Sequence, residues 1–229
     1  MRAFDPGVRL LVCVIMITSG LAETPASLPR KNPVILVHGF KDSSAKMQPM
    51  ARRLRAEGWT VFTPTLSPSW GQVGIEVLAR QLSDFIDTNL PPGSRFDLVG
   101  FSMGGIVCRY YLQRLSGLER VERFVAISVP QRGTWMASLC PAGLLNRPGV
   151  AQLSANGPFL RDLNRDSNML RRIQFTSMWT PLDLMILPAS SSRMTIGREK
   201  LMWVAFHPLM VWQPNCIRAV AAALSASRQ

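Results

Sequence analysis

Metal-binding residues are scarce in this chain of 229 residues. It has two histidines and four cysteines, and these do not form the paired spacings that zinc sites use. Its carboxylates do not follow the spacing of a calcium-binding loop. The sequence therefore predicts no metal site and no cofactor.

Acidic residues are also scarce, because 14 of them stand against 26 lysines and arginines, for a formal net charge of +12. The basic residues are scattered and do not form a nucleic-acid-binding motif with interleaved aromatics, so we expect no nucleic-acid partner. Peripheral contact with an anionic membrane surface fits the charge. A generally basic set of proteins in the source organism explains it equally well.

Long apolar runs are missing beyond the first 22 residues. In that leader, a short positive head precedes an apolar core and a group of small residues, as in a secretory signal peptide. We therefore expect a signal peptide over residues 1–22 and export to the periplasm or the cell exterior. Asp5 dilutes the positive head, so an uncleaved membrane anchor is the alternative. Residues 30–229 are expected to form a single domain.

Cysteine usage leaves the compartment open. Without the leader, three cysteines remain at positions 108, 140 and 216. Cys108 is expected to be a small buried apolar residue. A bridge between Cys140 and Cys216 is conceivable in an exported protein, although spacing alone cannot establish it.

A G-x-S-x-G motif is the most informative feature that is present. It spans residues 100–104 and directly follows the apolar run at 96–99. Gly100 and Gly104 flank Ser102 and are small enough for a strained turn between a strand and a helix. This arrangement is the nucleophile elbow of serine hydrolases, and it predicts Ser102 as the nucleophile.

The scarcity of histidine narrows the choice of general base to two residues. In hydrolases with this elbow the catalytic order along the chain is serine, acid, histidine. His38 precedes Ser102 and does not fit that order, whereas His207 follows it near the C-terminus. The apolar stretch 201–206 predicts a last strand that delivers His207 to the edge of the sheet.

The acid must lie between Ser102 and His207. Asp183 follows a predicted strand at 173–179 in a turn, which is where catalytic loops of open α/β sheets are found. It is our first choice, and Glu199 is the runner-up. The other carboxylates in the interval are Glu119, Glu122, Asp162 and Asp166.

The segment His38-Gly39-Phe40 ends an apolar, β-branched run and predicts the first catalytic loop. An oxyanion hole needs two backbone N–H donors. We expect one from Met103, the residue after the nucleophile, and one from Phe40, with Gly39 allowing a close backbone approach. His38 is expected to hold this loop through hydrogen bonds rather than to transfer protons.

Alternating strand-like and helix-like segments predict the fold class: an α/β architecture with a mainly parallel, doubly wound sheet and helices on both faces. The predicted strands are 33–38, 59–63, 96–101, 121–128, 172–179 and 201–206. The predicted helices are 43–57, 74–90, 104–115 and 215–225.

These motifs resemble those of bacterial triacylglycerol lipases and esterases of the α/β-hydrolase fold, with the overall look closest to short lipase-like proteins predicted in cyanobacteria. The resemblance rests on residues 33–40, 97–105, 128–134 and 159–164 and on the regions around Asp183 and His207. It implies cleavage of lipid or small carboxylic esters through an acyl-enzyme on Ser102. Gln131 departs from it, because many relatives carry histidine there.

Two alternatives to ester hydrolysis remain open. The same three residues could pass an acyl group to an acceptor other than water, as an acyltransferase does, or the domain could be a catalytically inactive interaction module. Segment 133–158 interrupts the alternation of elements. By the same resemblance it forms a lid or a wall of the acyl pocket, and a helix that merely covers the core fits its apolar residues equally well.

Overall fold

In the part of the chain that the structure describes, six parallel strands form one sheet in the order β2-β1-β3-β4-β5-β6. The computed structural model describes residues 31–140 and 146–227, so the predicted leader at 1–22 lies outside the described residues. The strands are β1 (Val34–Val37), β2 (Val61–Phe62), β3 (Phe96–Phe101), β4 (Val121–Ile127), β5 (Gln174–Trp179) and β6 (Arg198–Leu201).

Burial on both faces explains the composition of the central strands. All residues of β1 and of β3 are buried, as expected for parallel strands covered by helices on two sides. Strand β3, which carries the predicted nucleophile at its end, lies between β1 and β4. Val37 of β1 is in register with Gly100 of β3, so the His38 loop and the elbow leave the sheet side by side.

Helices cover both faces of the sheet and, among the described residues, build two separate apolar clusters. One cluster contains the inner sides of α2 and α3, and the other contains those of α1 and α7. The helices are α1 (Ser44–Ala56), α2 (Ile75–Asn89), α3 (Met103–Arg114), α4 (Trp135–Ser138), α5 (Pro148–Ala151), α6 (Pro158–Arg165) and α7 (Pro214–Ser225).

A buried arginine ties the helix after the nucleophile to its surroundings. Arg109 of α3 is fully buried and donates to the side-chain oxygens of Gln113 and Gln131 and to the backbone oxygen of Leu163. Burial lowers the pKa of Arg109 to about 9. Gln131, the position that departs from the lipase pattern, is thus a partner of this buried charge.

The predicted α/β class, with a parallel sheet and helices on both faces, is confirmed. The predicted last strand at 201–206 is wrong. The edge strand is β6, with the mainly charged sequence REKL, and it ends where Leu201 pairs with Trp179. Residues 202–206 then leave the sheet, because the backbone of Val204 is bound by Thr180. The Thr180 hydroxyl donates to the Val204 oxygen and accepts from the Val204 N–H.

The conceivable Cys140–Cys216 bridge is not formed, since Cys108, Cys140 and Cys216 are all free. Cys140 packs against the cluster on the α2–α3 face, whereas Cys216 is buried in the cluster on the other face. The sheet therefore separates the two thiols. Across residues 31–140 and 146–227, no helix has the length and apolar character needed to cross a membrane.

Candidate active site

Ser102 stands on a strained turn between β3 and α3. Its backbone has φ 54° and ψ −127°, outside the ordinary regions for a residue with a side chain. Glycines make this turn possible. A Cβ added to Gly104 would strike the carbonyl oxygen of His38, and one added to Gly100 would lie 2.6 Å from the Cα of Gly105. The half-buried Ser102 side chain is thus presented at the carboxyl edge of the sheet.

The His38 loop lies directly against this elbow. A Cβ added to Gly39 would be 3.0 Å from the Cβ of Ser102, so the backbone of the loop approaches the nucleophile closely. Phe40 follows Gly39 and lines the same cavity as Ser102. Met103 begins α3, where backbone N–H groups have no partner within the helix.

His38 is bound through both ring nitrogens. Its Nε2 accepts from the N–H of Leu66 at 3.0 Å, which assigns the proton to Nδ1, and Nδ1 donates to the oxygen of Gly39 at 3.0 Å. Burial lowers the pKa of His38, so the ring stays neutral in this role. Through these two hydrogen bonds, His38 joins the loop that follows β1 to the segment after β2.

Asp183 and His207 form a buried pair, with Nδ1 of His207 2.7 Å from Oδ2 of Asp183. The other carboxylate oxygen, Oδ1, accepts from the N–H groups of Met185 and Ile186, each at 2.9 Å. These bonds fix the carboxylate in the loop after β5. Nε2 is left as the ring nitrogen of His207 that can accept a proton.

Aromatic packing places His207 against the residue that precedes Ser102. Its ring lies 4.7 Å, between centroids, from that of Phe101, the residue before Ser102. In the part of the chain that the structure describes, no hydrogen bond joins the Ser102 hydroxyl to His207. Such bonds are often long in a resting enzyme and tighten when substrate binds.

Three other candidates for the acid have partners other than His207. Glu199 lies on β6, where it accepts from the indole N–H of Trp179 and pairs with Arg193. Asp162 and Asp166 both pair with Arg114. Asp183, and not the runner-up Glu199, is therefore the carboxylate that contacts His207.

A cavity of about 220 Å³ opens beside Ser102. Its walls come from the His38 loop, α4, α5 and the loop after Asp183, and they are mainly apolar, with Phe40, Met136, Ala137, Val150, Leu153 and Ile186 among them. The segment 133–158 therefore contributes two short helices to the cavity wall, although residues 141–145 lie outside the described residues.

Thr134 has a role that sequence reasoning missed. Its hydroxyl donates to the oxygen of Met185 and accepts from the N–H groups of Met136 and Leu187. One buried side chain thus joins the start of α4 to the loop that carries Asp183. The signal in the sequence for this role is the Gly133-Thr134 pair, which lies within the lipase-like segment 128–134. Within the described ranges, no group of three or more metal-ligating side chains is found.

A parallel sheet with a strained serine elbow and a buried Asp–His pair at its carboxyl edge defines a protein of the α/β-hydrolase fold. The chain belongs to the palmitoyl protein thioesterase family, whose model matches residues 33–180. The fold and the predicted likeness to lipases and esterases are thereby confirmed.

Solved structures with the same fold include a lipase of Bacillus licheniformis, with a TM-score of 0.71 and 16% identity over 88% of this chain and 95% of that one. Lipase B of Aspergillus fumigatus has a TM-score of 0.74 and 20% identity over 89% of this chain, which spans 55% of that one. An extracellular α/β-hydrolase of a Paenibacillus species has a TM-score of 0.61 and 17% identity, over 86% of this chain and 100% of that one.

Proposed function

We propose that the protein is a serine hydrolase that cleaves carboxylic esters or thioesters of apolar acyl groups. The observation that carries this proposal is the buried Asp183–His207 pair, 2.7 Å apart, which packs on Phe101, the residue before the strained Ser102, while Ser102 itself lines an apolar cavity. Nucleophile, base and orienting acid are the three groups that acyl transfer through a serine requires.

In the proposed reaction, Nε2 of His207 removes the proton from the Ser102 hydroxyl as its oxygen attacks the acyl carbon. The carbonyl oxygen becomes an oxyanion, held by the N–H groups of Phe40 and Met103. His207 returns the proton to the departing alcohol or thiol, which leaves an acyl group on Ser102. Water then repeats the sequence, releasing the acid and the free serine.

Asp183 and His38 orient the parts of this machinery. Asp183 holds the proton of His207 on Nδ1 and stabilises the imidazolium that forms during each transfer. His38, neutral and bound at both nitrogens, holds the loop that supplies the Phe40 donor. Gly39 lets that loop approach the nucleophile.

The apolar cavity supports a substrate with an apolar acyl chain. The family description, palmitoyl protein thioesterase, and the names of the lipases with this fold point to the same substrate class. We assign the acyl chain to the space between α4, α5 and Ile186, so that segment 133–158 serves as a wall of the acyl pocket.

Narrowing this cavity tests the assignment. Ala137→Phe adds a ring to the cavity wall, and we expect kcat/KM for a p-nitrophenyl octanoate to fall about tenfold relative to the acetate. A series of p-nitrophenyl esters from short to long acyl chains measures the change. Ala56→Phe, at the exposed end of α1, is the matched control. An equal loss across the series would contradict the placement of the acyl chain.

We also propose export through the leader and peripheral contact of the mature protein with an anionic membrane surface. Large apolar side chains are exposed on the loops that flank Asp183 and His207 and on α4, among them Leu139 at 80% and Trp203 at 72% exposure. The net charge of +12 favours anionic lipid.

Sedimentation with lipid vesicles tests this contact. We expect more protein to bind vesicles containing phosphatidylglycerol than vesicles of phosphatidylcholine alone, and Trp203→Ser to weaken binding about fivefold or more, because an apolar side chain is removed from the interface. Val77→Ser, an exposed apolar residue on α2, is the control. Equal binding by the Trp203 variant and the wild type would contradict this surface.

A further inference from the structure

A second groove lies beside the apolar cavity and shares Lys41 with it. It is open, has a volume of about 430 Å³, and is lined by Asp42, Lys46, Ser69, Trp70 and Trp212 as well as Lys41. Its lining therefore combines charged and aromatic side chains, unlike that of the acyl cavity. Two spaces of different chemistry therefore meet at Lys41, and one of them is lined by Ser102.

Each lysine of the groove is held on the face of a tryptophan. The Lys41 ammonium lies 4.3 Å from the ring centroid of Trp70, and that of Lys46 lies 4.3 Å from the centroid of Trp212. The backbone supports both pairs, because Lys41 donates its N–H to Ser69 and the Trp212 indole donates to the oxygen of Lys46. Cation–π contacts of this kind position an ammonium group before a ligand arrives.

The groove has an excess of positive charge. Asp42 is the acidic side chain among the described residues that line it, and its Oδ1 lies 3.9 Å from the ammonium of Lys46. Asp42 thus offsets Lys46. Lys41 has no carboxylate within ion-pair distance among the residues that the structure describes, and its charge remains available to a ligand.

The groove is on the His207 side of the site. Trp212 directly follows the 3₁₀ helix His207–Val211, so one wall belongs to the segment that begins with the base. Burial raises the pKa of Asp42, and the ammonium of Lys46 partly opposes this rise. A leaving group must depart next to Nε2 of His207, which gives it a proton, while the acyl chain occupies the apolar cavity.

We propose that this groove is the leaving-group subsite and that Lys41, supported by Lys46, selects alcohols or thiols that carry a negative charge. The inference rests on the proposed function, because it assigns the second half of the same substrate. A carboxylate, sulfonate or phosphate on the leaving group fits it, since each is an anion that an ammonium group can bind.

Pairs of substrates that share one acyl chain isolate the effect of the leaving group on the rate. Octanoyl esters of 4-nitrophenol and 3-carboxy-4-nitrophenol test an alcohol source of the charge, and octanoyl thioesters of 2-mercaptoethanol and 2-mercaptoethanesulfonate test a thiol source. For the wild type we expect a higher kcat/KM on the anionic member of at least one pair. In Lys41→Met this anionic-to-neutral ratio falls about five- to tenfold, and salt lowers it in the wild type.

Two variants control for indirect effects. Lys41→Arg keeps the charge, and we expect it to retain the preference. Lys31→Met removes a lysine that also stacks on a tryptophan, 3.6 Å from the ring of Trp59, but precedes β1 at the opposite edge of the sheet. It leaves the ratio at the wild-type value.

The outcomes separate this inference from the proposed function. Failure of the wild type to hydrolyse any of these four substrates would overturn the proposed function and this inference with it. Hydrolysis of neutral and anionic members at equal rates, or an unchanged ratio in Lys41→Met, would overturn the leaving-group subsite alone.

Discussion

Replacing Ser102 by alanine removes ester hydrolysis and leaves the fold intact. The expected loss in kcat is about 10⁴-fold or more, because the variant has no atom that can form the acyl-enzyme, and only the oxyanion donors and substrate binding remain. Alanine keeps the Cβ of serine, so the backbone at φ 54° is about equally strained in the variant and in the wild type. We therefore expect the melting temperature of Ser102→Ala to stay within a few degrees of the wild-type value.

Three measurements check this result. Hydrolysis of p-nitrophenyl esters gives the rate, circular dichroism gives the melting temperature, and a fluorophosphonate probe reports a reactive serine directly. Ser94→Ala removes a hydroxyl just before β3, at the opposite end of the strand that carries Ser102, and is expected to keep full activity and labelling.

Retained hydrolysis by a folded Ser102→Ala would refute the nucleophile assignment. Absence of probe labelling in the wild type would favour the inactive interaction module instead. Adding an alcohol to the same assay addresses the acyltransferase alternative, because transfer to that alcohol in preference to water would yield a new ester rather than the free acid.

Local patterns carried most of what the sequence could predict. The elbow around Ser102 and the His38 loop each follow a continuous buried strand, and their glycines mark positions where a Cβ would collide with a neighbouring backbone. Such features depend on a few adjacent residues, so they can be found without the fold. Asp183 was also accessible, because a loop after a parallel strand must lie at the catalytic edge of the sheet.

Features that depend on distant partners were out of reach. The edge strand β6 is exposed throughout, three of its four residues are charged, and it has no apolar alternation, so its pairing with β5 defines it. The sequence predicts the last strand at 201–206 instead, because side-chain composition does not reveal that Thr180 forms a hydrogen bond with the backbone of Val204. The role of Thr134 likewise requires two segments that are far apart in the chain to meet.

Replacing Asp183 by asparagine is expected to lower kcat by about 10³- to 10⁴-fold while the protein remains folded. The structure explains why so small a change has so large an effect. Oδ1 accepts two backbone N–H groups, from Met185 and Ile186, so the carboxamide oxygen of the variant takes this position. Its NH₂ group then faces Nδ1 of His207.

An NH₂ donor at that position reverses the proton arrangement of the base. Nδ1 must now accept a hydrogen bond, so the proton of the neutral imidazole moves to Nε2, and Nε2 can no longer take the proton of Ser102. Kinetics on p-nitrophenyl esters measure the loss, and Glu199→Gln, the same change at the runner-up acid, is expected to keep near wild-type rates. A near-normal rate for Asp183→Asn together with a large loss for Glu199→Gln would transfer the role of the acid to Glu199. Because the hydrogen bonds of the loop hold the side chain of residue 183 in the same place in both proteins, the comparison tests the carboxylate of Asp183 rather than its shape.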